Sequence, residues 1–142
     1  MTDSDAAEVA PNDSSAQAPS GGEGRRGRDP DCLFCRIVAD EIAATKVHED
    51  ESIVGIRDIA PRAPTHVLFM PREHIPSATD LTVADGPLLG RLFSVAADFA
   101  RSEGIADNGY RIVANVGRWG GQTVEHLHFH LLGGRSMSWP PG

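Results

Sequence analysis

The chain has 142 residues, 13 lysines and arginines against 20 aspartates and glutamates, and a net charge of −7. That length suits one domain with a real core, and the acidic balance offers no basic field to nucleic acid or an anionic membrane surface. No apolar run approaches the roughly 20 residues of a membrane-spanning helix, the N-terminus lacks the charged and apolar regions of a secretory signal, and two cysteines are too few for a disulfide scaffold. A soluble, cytoplasmic protein with no nucleic-acid or membrane partner is expected.

Residues 1–29 are rich in Ala, Ser, Asp, Gly and Pro and hold no aromatic residue. Such a segment cannot bury enough apolar surface to offset its ordering entropy, so it is expected to be a disordered tail, with the domain over 30–142. Gly21-Gly22-Glu23-Gly24 is no phosphate loop: no strand precedes it, and no Lys followed by Ser or Thr comes after it. Arg25-Arg26-Gly27-Arg28 reads as a solvated linker.

Asp31 is placed to cap a short helix carrying Leu33, Phe34, Ile37 and Val38 on one face. Lys46–Glu49 and Ser52–Ile56 flank Asp50-Glu51 as a hairpin or meander. Val67–Met70 is a third strand, stopped by Pro71. Pro87 to Ser102 is the clearest helix: Leu88, Leu92, Val95 and Phe99 recur on one face, and Gly104 supplies a stop. Tyr110–Asn115 is a fourth strand, and a loop with Gly117, Gly120 and Gly121 leads to a fifth. Strands outnumber helices without βαβ alternation, so an α+β fold with an antiparallel sheet is expected.

The fifth strand carries the chemistry. In His126-Leu127-His128-Phe129-His130-Leu131 three histidines alternate with three bulky apolar residues. With a side-chain period of two, the histidines share one face and Leu127, Phe129 and Leu131 the other. The outer pair is about 13 Å apart on an extended strand, so one metal ion cannot collect all three. A central imidazole with a helper on each side suits nucleophilic catalysis instead. Gly120-Gly121-Gln122-Thr123, just upstream, offers backbone and side-chain donors to an anion, although a turn into a strand is the commoner use of such glycines. Together the two segments point to a phosphorus electrophile. Cys32-Leu33-Phe34-Cys35 has the spacing that puts two thiolates on one zinc, but two ligands do not complete a site, and two buried thiols are the alternative.

The run from Gly120 to Arg135 resembles the signature of the histidine triad (HIT) family, and Gly133-Gly134-Arg135 through Trp139-Pro140-Pro141-Gly142 resembles its nucleotide-binding Hint branch. Asp58-Ile59-Ala60-Pro61, Ala63-Pro64-Thr65-His66 and Pro71-Arg72-Glu73-His74-Ile75 agree, so the likeness covers Asp31 to Gly142. It implies a HIT fold, with about five antiparallel strands, one long helix and a short N-terminal helix. It also implies a homodimer joined through the long helix and a sheet edge. The implied activity is hydrolysis of purine nucleoside phosphoramidates or adenylates through a nucleotidyl-histidine. The alternatives are a dinucleoside polyphosphate hydrolase of the same fold and a nucleotide-binding regulatory protein with little catalysis.

By the same resemblance His128 is the nucleophile. His130 and Thr123 stabilise the phosphoryl group, and His66 and His126 orient and relay protons. Asp58 holds the ribose; Phe34, Ile37 and Ile59 enclose the base; Asn115 contacts the sugar–phosphate side, with Gly121 and Gln122 in the turn. Trp139 resembles the residue that reaches toward the partner's site, the alternative being a Trp that anchors the tail on its own subunit. Catalysis needs no cofactor, while Cys32, Cys35, His74 and His126 form a candidate structural zinc site, as in bacterial-type relatives. A zinc on His126 would make it a supporting rather than a catalytic residue. Trp119 replaces a small or polar residue and packs over either the ligand or the dimer partner.

Overall fold

A computed structural model describes residues 26–142. The tail expected over 1–29 lies outside the described residues as far as residue 25. Within the described part Arg26 is not a solvated linker cation. Its Nε and Nη2 donate to Glu73 and Asp85, each at 3.0 Å, and the Gly27 carbonyl accepts from the His74 N–H at 2.9 Å.

Among the described residues five strands form one antiparallel sheet in the order β1-β2-β3-β5-β4. The elements are α1 (Leu33–Val38), β1 (Lys46–Glu49), β2 (Ile53–Arg57), β3 (Thr65–Pro71), α2 (Gly86–Glu103), β4 (Tyr110–Val113) and β5 (Phe129–Gly133). The helix α2 begins with Pro in its first turn and ends at Gly104, whose φ of 81° is left-handed. Its apolar stripe of Leu92, Val95, Ala96 and Ala100 is buried against Ile53, Val67, Phe69, Phe129 and Leu131. Gly55 is required in that layer, because a Cβ there would lie 2.7 Å from the Phe69 ring.

The opposite face of the sheet packs Val54, Ile56, Leu68 and Met70 under α1, through Phe34, Cys35 and Ile37. Here the cap differs from expectation. Cys32, not Asp31, caps α1, its sulfur accepting from the Cys35 N–H at 3.3 Å, and Leu33 faces outward, 44% exposed.

The histidine segment also differs. Only Phe129–Gly133 is laddered, and His126 and His128 precede β5. The register with β3 runs from Thr65 opposite Gly133 to Phe69 opposite Phe129. Continued, it would set Leu127 opposite Pro71, which has no N–H to give. The Leu127 N–H turns instead to the Ile75 carbonyl at 2.6 Å. The alternation of faces survives without the ladder. Leu127 joins the α2 core, while the rings of His126 and His128 both stand edge-on to Phe34, with centroids 5.9 and 5.0 Å away.

Candidate active site and metal centre

Each imidazole in the cluster is oriented by a named hydrogen bond, and the partners assign its tautomer. The His128 Nδ1 lies 2.7 Å from the His126 carbonyl, which can only accept. His128 therefore carries its proton on Nδ1 and a lone pair on Nε2. The Arg62 N–H donates to His66 Nδ1 at 3.0 Å, so the His66 proton is on Nε2. That Nε2–H points at His130 Nδ1, 2.9 Å away, with the Asp58 carboxylate at 3.4 Å. His130 then accepts at Nδ1 and keeps an Nε2–H. Neither His128 Nε2 nor His130 Nε2 has a hydrogen-bond partner among the described residues. A lone pair and a donor thus stand on adjacent rings, with centroids 5.1 Å apart.

Burial sets the charge. It pushes His130 down to about 4, with the His128 and His66 rings adding to the shift and Asp58 opposing it. Burial likewise lowers His128, against the carbonyl of His126 and Asp58, and His66, against Asp58. All three rings are neutral near pH 7, the state in which imidazole is nucleophilic.

His126 is different. It is fully buried, and its Nε2–H donates to the Pro71 carbonyl at 2.8 Å. Its Nδ1 lone pair faces Cys32 Sγ at 3.4 Å, Cys35 Sγ at 3.6 Å and His74 Nδ1 at 3.3 Å, and Cys35 Sγ is 3.4 Å from His74 Nδ1. A tetrahedral zinc with bonds of about 2.3 Å to sulfur and about 2.05 Å to nitrogen has edges of about 3.6 Å from S to N and about 3.3 Å from N to N. These four distances fit that shape, and all four ligand atoms lie within 4.8 Å of one another. Both ring nitrogens of His126 are committed, so it has none with which to relay a proton at His128. Burial, with the neighbouring Cys35 thiol adding to it, pushes the Cys32 thiol up to about 11, a bias that a bound dication reverses. N–H donors already face both sulfurs: Cys35 N on Cys32, and Asp29 N on Cys35 at 3.5 Å.

The remaining expected site residues fall around this centre unevenly. Phe34 is buried against the His126 and His128 rings and Ile37 is buried in the apolar cluster under α1, whereas Ile59 is 99% exposed on the turn after β2. Asp58 spends one oxygen on the Ala60 N–H at 2.8 Å and turns the other toward His66. The glycine turn is braced internally. Gly121 N–H donates to the Arg118 carbonyl and Gln122 N–H to that of Gly117. Both amide hydrogens of Gln122 are taken by the Pro76 and Val124 carbonyls. Gln122 and the Gly121 amide are thus scaffold in this conformation, not free anion donors as expected. Thr123 makes no hydrogen bond among the described residues. It lines a cavity of about 470 Å³ with Cys32, Leu33 and His74. Asn115 lines another, of about 380 Å³, with Arg111 and Arg135. His128, 6% exposed, lines neither. Trp139 is 80% exposed and lies over its own chain's Arg111, 5.9 Å from ring centre to guanidinium. Trp119 is 93% exposed. The residues missed from sequence were Arg62, whose backbone fixes His66, and Pro71, whose carbonyl fixes His126; backbone groups leave no mark in side-chain identity.

The chain is similar to several known proteins. The purine nucleoside phosphoramidase of Escherichia coli (strain K12) is 45% identical over 105 residues, which span 74% of this chain and 88% of that protein. A 14 kDa zinc-binding protein of Zea mays is 46% identical over 121 residues, 83% of this chain and 93% of that one. The crystal structure of a HIT family hydrolase from Legionella pneumophila Philadelphia 1 matches with a TM-score of 0.78 and 50% identity, over 79% of this chain and 100% of that one. The family model of the HIT domain matches residues 39–137, a span that holds His66, His74 and all three histidines of the alternating run but leaves out both cysteines. On that match and these identities, the chain belongs to the HIT domain family.

Proposed function

We propose that this protein hydrolyses purine nucleoside phosphoramidates and adenylates, the bond broken being P–N or acyl P–O at the α-phosphorus of an AMP-type group. One observation carries the reading: His128 donates its Nδ1 proton to a carbonyl, so its Nε2 lone pair is free beside the His130 donor. His128 Nε2 attacks phosphorus, a P–N bond to the enzyme forms, and the bond to the amine or carboxylate breaks. His130 Nε2–H hydrogen-bonds the phosphoryl oxygens or the bridging atom and stabilises the charge that develops there, and a departing amine takes its proton from solvent. Water then attacks the nucleotidyl-histidine, the bond from phosphorus to His128 Nε2 breaks, AMP is released, and the proton that water gives up returns to solvent. Thr123, with no hydrogen-bond partner among the described residues, is a further donor to the phosphoryl group. Asp58 receives the ribose hydroxyls, Phe34, Ile37 and Ile59 the base, and Asn115 the sugar–phosphate side. The E. coli relative's name supports the substrate class.

Cys32, Cys35, His74 and His126 would hold a structural zinc, as the ligand edges and the maize relative's name support. The ion would tie α1 to the segment before His128 and supply no step of the reaction. A homodimer across α2 and the sheet edge is part of the proposal: β4 is a terminal strand, and Phe93 on α2 is 44% exposed. A cytoplasmic location suits two free thiols.

Turnover of AMP-amide against diadenosine polyphosphates tests the reading. Preference for the phosphoramidate is expected, and His128→Ala should lower it by about a thousandfold or more. Preference for the polyphosphate would move the assignment to the other hydrolase, and full turnover by His128→Ala would remove the mechanism.

A further inference from the structure

Arg135 stands outside the histidine cluster and touches none of its rings. Its Nε and Nη2 both donate to one acceptor, the Arg62 carbonyl, at 3.3 and 2.9 Å. Its Nη1 donates to the Ser136 carbonyl at 3.0 Å. The preceding Gly134 has a φ of +90°, and a Cβ there would lie 2.8 Å from the Pro64 Cβ. The segment after β5 therefore holds the turn between β2 and β3 at two points, Arg62 and Pro64. The same Arg62 sends its N–H to His66 Nδ1.

We propose that Arg135, with Gly134, is a positioning residue that fixes the tautomers of His66 and His130. The fork holds the Arg62 backbone so that its N–H meets His66 Nδ1. An N–H aimed at Nδ1 excludes a proton there, so His66 must carry Nε2–H and His130 must accept at Nδ1. His130 is then obliged to present Nε2–H outward. With Arg62 released, His66 can take its proton on Nδ1. His66 Nε2 then becomes an acceptor, His130 must protonate Nδ1, and a lone pair replaces the donor at His130 Nε2. That lone pair repels a phosphoryl oxygen instead of stabilising it. Asp58, 3.4 Å from His66 Nε2, favours the same tautomer, so the switch is partial. Lys in place of Arg135 keeps the charge but not the two-pronged donation.

The rate consequence rests on His130 donating to the phosphoryl group, as proposed above; the tautomer assignment does not. Imidazole nitrogen-15 spectra of the full-length protein read the tautomer directly, alongside kcat and KM on AMP-amide. In the parent protein His66 is expected to show Nδ1 as acceptor and Nε2 as protonated. In Arg135→Ala and Arg135→Lys its two nitrogen shifts should move toward each other. In Arg135→Ala kcat should fall in step with the switched fraction, about twofold to fivefold, with KM within about twofold. Guanidinium at low millimolar concentration should restore part of both. Unmoved His66 shifts in the folded Arg135→Lys protein would overturn the proposal, as would a lower melting temperature with unmoved shifts in Arg135→Ala. Moved shifts in a protein that never hydrolyses AMP-amide would uphold the positioning role and strike the hydrolase reading alone.

Discussion

On the side of β3 and β5 that meets α2, the facing positions are apolar: Val67, Phe69, Phe129 and Leu131. On the other side His66 and His130 stand in line with Leu68 and Met70, and His128 and His126 continue the row beyond the ladder. One alternation of side chains builds both faces, yet they are held by different forces. The first needs volume and hydrophobicity, and tolerates any set of side chains that fills the space. The second needs its ring nitrogens matched to donors and acceptors, His128 Nε2 and His130 Nε2 being the exceptions among the described residues, because a buried polar atom left without a partner costs about 1–3 kcal/mol. Stability is concentrated on the first face and chemistry on the second, and the sulfur–imidazole cluster is where the two meet.

That division can be broken most severely at the cluster. With the proposed zinc in place, removing it with a strong chelator, or changing Cys35→Ser, should lower the melting temperature by about 10 °C or more, because two thiols and two imidazoles would lose a common partner. Calorimetry with metal analysis checks it, and a melting point indifferent to chelation would make the cluster ornamental. The α2 face comes next. Phe69→Ala should cost about 3–5 kcal/mol in urea unfolding while leaving kcat of the folded fraction near the parent value. A large loss of kcat would show that the faces are coupled.

A smaller effect is expected from acid. His130 is held at about 4 by burial, between the His128 and His66 rings and facing Asp58, against about 6.5 when unfolded. Between those values the unfolded chain binds a proton that the folded chain refuses. Its contribution to stability is therefore complete above about pH 6.5 and is lost as pH falls toward 4. Activity should follow, with kcat/KM level from pH 8 to about 6 and declining only below. A midpoint at the ordinary histidine value would contradict the buried, neutral cluster. The smallest effect is expected at the N-terminal strap: Arg26→Ala, breaking partly exposed ion pairs to Glu73 and Asp85, should cost about 1 kcal/mol or less in urea unfolding, and less at high salt.

The sequence carried the elements whose cause is periodic. The stripe of Leu88, Leu92, Val95 and Phe99 placed α2 to within a residue at each end, and the alternation at 126–131 divided the faces correctly. It did not show where β5 begins, because that depends on Pro71 lying across from Leu127, a long-range pairing. Nor did it show that the Gln122 amide is spent on the Pro76 and Val124 carbonyls, or that Cys32 rather than Asp31 caps α1. Residue types proposed the donors; only the folded chain shows which of them are already in use.

The account turns on a single atom, His128 Nε2. Rapid quenching of the protein with AMP-amide, followed by tandem mass spectrometry of its peptides, locates any nucleotidyl adduct. The prediction is AMP on His128 within the first turnover, lost on standing in water and absent from His128→Ala. An adduct on His130 or His126, or sustained turnover with no histidine labelled, would contradict it.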